Sequence, residues 1–190
     1  MPLRAPTTLR LRSPDGPLRI HLAQPLSRST LSVLVLITDA DPPQICRALA
    51  DELTILTIAT ERATLRDGTR LLEWTADHAT ELGADPDQLL LGGAHAGAWL
   101  AAYLALRARD DGWPVIRHQL LVHPRRFPAI AMSTSLTGAP PATIIGPPTA
   151  SHSYAHQLRL AGVAVTVTAW LSRTSHADER TRRKTAFWTP

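Results

Sequence analysis

Six apolar runs constrain the fold of this chain most: LSVLVLI from Leu31, LTILTIA from Leu53, QLLLGG from Gln88, HQLLVH from His118, ATIIG from Ala142 and VAVTVTA from Val163. Their apolar residues are consecutive rather than alternating, which suits parallel strands buried on both faces. The segments between them have helical spacing. Ile45, Ala48 and Leu49 share one face, with Asp41 as a candidate N-cap and Pro42 in the first turn; Leu72, Ala76 and Ala79 repeat the spacing, with Gly83 as the stop. A helix from Ala96 to about Arg109 is apolar almost all round, and another runs from about Ser151 to Ala161 and ends at Gly162. Strand and helix alternate, so the chain reads as an α/β domain with helices flanking a mostly parallel, doubly wound sheet. Ahead of it, Thr8 to Arg12 and Leu18 to Leu22 alternate around the turn Ser13-Pro14-Asp15-Gly16, the pattern of an antiparallel β-hairpin.

At 190 residues and 44% hydrophobic content, the chain has the size of a single domain, 1–190, with one core. The proline-rich stretch from Pro124 to Pro148 reads as an irregular excursion, not a domain boundary. Cys46 is the only cysteine, so it forms no internal disulfide, and it lies on an amphipathic helix where an inert core thiol is expected. The N-terminal MPLRAPTTLRLRSPDG lacks the apolar run of a signal peptide, and no apolar run is long enough to span a bilayer, so a cytoplasmic protein with no membrane partner is expected. A net charge of +4 and a pI near 10.2 raise the question of nucleic acid. However, Lys184 is the only lysine and the arginines are scattered. The densest basic cluster, Arg180, Arg182, Arg183 and Lys184 followed by Phe187 and Trp188, fits a solvated helix face better than a phosphate-binding surface.

In LGADPDQLLLGGAHAGAWLAAYLALRARD, a buried strand meets a small-x-His-x-small turn and passes directly into a helix. Gly93, Ala94, Ala96 and Gly97 leave no bulk around the central residue, as a strained strand-to-helix elbow requires. This segment resembles the hormone-sensitive-lipase family of esterases, whose turn reads Gly-Asp-Ser-Ala-Gly-Gly. QLLVHP, PPATIIG and YAHQLRLAGVAVTVTAW resemble that family's later strands and helix. The resemblance implies an α/β-hydrolase fold with Ala94 in place of the aspartate and His95 in place of the nucleophilic serine. It also implies that His176, within WLSRTSHAD, occupies the catalytic histidine position.

The remaining chemistry departs from that family. The acid is expected after ATIIG, yet the sequence there is Gly146-Pro147-Pro148-Thr149-Ala150-Ser151, and no Asp or Glu occurs from Gly112 through Ala177. Relatives donate backbone N–H groups to the oxyanion from a His-Gly-Gly-Gly loop; here the corresponding run is Thr38-Asp39-Ala40-Asp41-Pro42-Pro43, where prolines donate nothing and carboxylates repel. With the first strand pattern starting near Thr8, no N-terminal cap segment like that of the resembled family is expected, and any pocket is expected to be shallow. These losses together point to a non-catalytic pseudoenzyme derived from a carboxylesterase-like ancestor, without cofactor or metal.

Two other functions compete with that reading. In the first, His95 acts as nucleophile or base with His176, and with Asp39 or Asp41, at the carboxyl edge of the sheet, as an enzyme of altered mechanism acting on a small molecule. A divalent metal held by the same residues is the lesser form of this idea. In the second, the chain is a basic nucleic-acid-binding module. His123 is expected to serve packing, and the i, i+4 pair His152 and His156 to lie on an exposed helix face. Ser133, Ser135, Ser151 and Ser153 do not follow a strand through a glycine-flanked turn. As for partners, the resemblance implies a homodimer, or a heterodimer with an active paralogue, through the last strand, Val163 to Ala169, and the C-terminal helix. Charged substitutions at Val165 or Val167 test this by light scattering, where an unchanged mass counts against it.

Overall fold

One eight-stranded sheet runs through the computed structural model, which describes residues 3–27, 29–61, 63–124, 135–146 and 148–168, with backbone alone for 148–152. The elements follow in the order β1 (Thr7–Ser13), β2 (Gly16–Ala23), β3 (Leu31–Thr38), α1 (Pro42–Leu53), β4 (Leu56–Glu61), α2 (Leu65–His78), β5 (Ala84–Ala94), α3 (Ala96–Asp111), β6 (Ile116–Val122), β7 (Ala142–Ile145), α4 (Pro148–Leu160) and β8 (Val165–Thr168). In the sheet the order is β1-β2-β4-β3-β5-β6-β7-β8. The hairpin β1–β2 is antiparallel and joins β4 antiparallel, and every pairing from β4 to β8 is parallel.

The continuous apolar runs are explained by burial on both sides. Along β3, Val33, Val35 and Ile37 enter the larger core with Leu71 of α2 and Leu104 of α3, while Leu36 enters a smaller core with Ile45, Cys46 and Ala50 of α1. Helix α3 is buried round most of its circumference, because it lies between β5, β6 and α2. That position accounts for its nearly all-apolar sequence. Burial pushes the Cys46 thiol up to about 12, consistent with an inert core thiol.

Local chemistry sets the helix starts. The Asp41 carboxylate accepts from the Gln44 N–H, with Pro42 following at the first position, as expected of an N-cap. Thr64 and Asp67 form a reciprocal capping box on α2, and the Ser13 hydroxyl donates to Asp67, tying the hairpin to that helix. Several boundaries differ from the sequence expectation. Leu53 closes α1 instead of opening β4, and Thr54 makes the turn with φ 54°. Helix α2 stops at His78 ahead of Gly83, α3 continues to Asp111, and α4 begins at Pro148 instead of Ser151. The last described strand covers Val165–Thr168, with Ala169 outside the described residues, and Val165 and Val167 pack against the larger core. No described helix is long and apolar enough to cross a membrane.

Candidate functional site at the carboxyl edge

The connections out of the sheet create a crevice at one place. From β3 the chain crosses through α1 to β4 on one side, then returns through α2 to β5 on the other side of β3. Segments leaving the carboxyl ends of β3 and β5 therefore diverge, and open α/β sheets place ligands at such a switch point. The residues at these two ends are Asp39, directly after β3, and His95, directly after β5.

His95 holds the elbow open in a backbone conformation that L residues rarely adopt, φ 51° and ψ −111°. The packing around it leaves little alternative. A Cβ on Gly93 would lie 2.2 Å from the carbonyl oxygen of Gly97, and one on Gly97 would lie 2.2 Å from that of Ile37. The strand, the helix and the neighbouring β3 thus approach to backbone contact. The His95 N–H donates to Val122 O at 2.9 Å, fixing the turn to the end of β6.

From this turn the imidazole meets the carboxylate across the crevice, with His95 Nδ1 2.8 Å from Asp39 Oδ1. A carboxylate only accepts, so the ring donates from Nδ1. The His95 side chain is 24% exposed and Asp39 41%, so the pair lies at the surface of the crevice. His123 follows β6 with φ 45°, and its ring centroid lies 6.0 Å from that of His95. Burial, and after it the neighbouring His95, hold the His123 imidazole below the ordinary histidine value.

Behind Asp39 opens a cleft of about 180 Å³, walled by Ile37, Ala63, Trp99 and Leu100 and floored by Ala96 and Gly97 at the start of α3. Asp39 is its one charged lining residue among those described.

The sequence-derived candidates divide accordingly. His95 and Asp39 come together, while Gly93, Ala94, Ala96 and Gly97 form the elbow around them. Asp41 caps α1 instead of facing His95. His176 lies outside the described residues. His123 belongs beside the pair as well as in the packing, a placement that pairing of Ala94 with Val122 dictates once the sheet register is known. Among the serines, Ser153 is exposed on α4, and the Ser135 carbonyl is held by Arg109 near the opposite end of α3 from the elbow. Ser133 and the Ser151 side chain lie outside the described residues. No group of three or more metal-ligating side chains occurs among the described residues.

A family model described as alpha/beta hydrolase fold matches residues 39–144. Esterase LipI of Mycobacterium tuberculosis is 40% identical over 62 residues, which are 33% of this chain and 19% of LipI. The match thus spans about a fifth of the length of that curated relative. Among solved structures, an esterase from Pyrobaculum calidifontis superposes with a TM-score of 0.78 at 21% identity, covering 89% of this chain and 76% of the other. The carboxylesterase EstE1, cloned from a metagenomic library, superposes with a TM-score of 0.80 at 16% identity, covering 100% and 91%.

Proposed function

Because the chain belongs to the alpha/beta hydrolase fold family, we propose that it keeps the scaffold of an ester hydrolase without performing serine-based ester hydrolysis. The observation that carries this reading is the 2.8 Å bond between His95 and Asp39 across the elbow. Acyl transfer through a tetrahedral oxyanion needs a nucleophile at the turn and hydrogen-bond donors facing it. Here the turn carries an imidazole, and the loop after β3 turns a carboxylate towards it. Within that loop the Ala40 N–H donates to Thr38 Oγ1 at 3.1 Å, and Pro42 and Pro43 have no N–H to offer. From the side of that loop, a developing oxyanion meets the Asp39 carboxylate where stabilisation requires a donor.

The same bond favours a second reading. With Nδ1 engaged, Nε2 of His95 is the free base or nucleophile of a histidine-aspartate dyad, an arrangement able to accept an acyl group or a proton without a serine. Hydrolysis of short-chain p-nitrophenyl esters by the purified protein, by His95→Ala and by His176→Ala separates the two. The expected outcome is turnover at background for all three. Turnover by the parent that His95→Ala abolishes replaces the non-hydrolytic reading with a dyad mechanism, and a chelator control reports any metal contribution.

A further inference from the structure

The site beside the elbow has the opposite polarity to one built for a carbonyl. Its charged lining group among the described residues is the Asp39 carboxylate, an acceptor, oriented by the Nδ1–H of His95 through one oxygen. The other oxygen, Oδ2, makes no hydrogen bond among the described residues. A ligand presenting only a carbonyl or ether oxygen leaves that acceptor unmatched, whereas a hydroxyl supplies the missing proton. The start of α3 at Ala96 and Gly97 faces the same cleft, a setting that suits a carboxylate.

Size and wall chemistry limit the rest of the ligand. Ile37, Ala63, Trp99 and Leu100 offer apolar and aromatic surface. The cleft is open on one side, and its volume of about 180 Å³ limits the ligand to a compact one. We propose that this cleft binds a compact apolar alcohol or phenol, one ring in size, whose hydroxyl donates to Asp39 while the ring packs on Trp99 and Leu100. His95 is a positioning residue, because its Nδ1–H fixes the carboxylate. The inference rests on the non-hydrolytic reading of the same site.

Titration of the 190-residue chain with benzyl alcohol, followed by ¹H–¹⁵N spectra, tests it, with benzyl methyl ether as the matched ligand lacking the donor. The expected result is saturable shifts of the Trp99 indole and Gly97 amide with the alcohol. Affinity should fall about ten-fold or more for the ether and for Asp39→Ala, the loss expected when a hydrogen bond to a charged group is removed. His95→Ala should weaken binding less, and it provides a second variant should Asp39→Ala fail to fold. Equal affinity for alcohol and ether, unchanged affinity in Asp39→Ala, or no saturable shift overturns the proposal. Ester turnover that depends on His95 overturns the non-hydrolytic reading instead, and its readout is independent of the titration.

Discussion

His95 occupies a backbone conformation whose cost, about 1–3 kcal/mol for such residues, is met by the surrounding packing. Glycine alone adopts φ 51° freely, so the strain belongs to the possession of a Cβ and not to the imidazole. We therefore expect His95→Gly to be more stable than His95→Ala by about 1 kcal/mol, after allowing for the extra chain entropy of glycine. Urea unfolding of both variants provides the measurement, and equal midpoints would show that the turn stores no strain. The small residues around His95 already carried this geometry in the sequence, because nothing larger fits between a strand and a helix that turn back on each other. The bond to Asp39 was legible only as a shared sheet edge, since residues 56 apart meet through topology and not through spacing. His123 was read as packing for the same reason: its neighbour is fixed by strand register, which periodicity does not contain.

At the level of the elements, the contact between β5, α3 and β3 governs the site. Gly97 is buried in the first turn of α3, and a Cβ there would sit 2.2 Å from the Ile37 carbonyl oxygen. Backbone does not yield as a flexible side chain does, so Gly97→Ala must push α3 away from β3. The expected loss is about 3 kcal/mol, at the upper end of overpacking costs, with the His95–Asp39 bond lengthened because its two residues ride on the separated elements. Thermal unfolding and the ring resonances of His95 check the two halves of that expectation. Strand and helix identities were readable because two-sided burial produces unbroken apolar runs and caps have their own chemistry. Boundaries were less so. LTILTIA straddles the end of α1 and the start of β4, and the turn between them uses Thr54 at φ 54° where the usual signal, a glycine, is missing.

Across the whole molecule, three histidines and one aspartate link stability to pH in the same direction. Burial lowers the values of His21, His118 and His123, with Arg19 adding to the effect at His21 and His95 at His123. The unfolded chain binds protons at these rings more readily, so their contribution is intact above about pH 6.5 and is lost as the pH falls towards their folded values. Burial alone would raise Asp67, but hydrogen bonds from Ser13 and Thr64 outweigh it and leave the carboxyl below its ordinary value. Its contribution is present above the ordinary carboxylate range and is lost as the pH falls through the folded value. Urea midpoints should therefore decline in two stages on acidification, and His118→Gln, which can keep a bond to Thr143, should soften the first. A midpoint that is flat between pH 7 and about pH 5 would contradict this.

The strand order carries a consequence for the growing polypeptide. Of the described strands, the five translated first, β1 to β5, occupy a contiguous block of the sheet, and α3 follows β5 directly. Each later strand is added outside the last, β6 on β5, β7 on β6 and β8 on β7, and none is inserted between earlier ones. Synthesis thus presents each strand after β5 with a completed neighbour, and the strands that lead to Asp39 and His95 can pair before β6 has been translated.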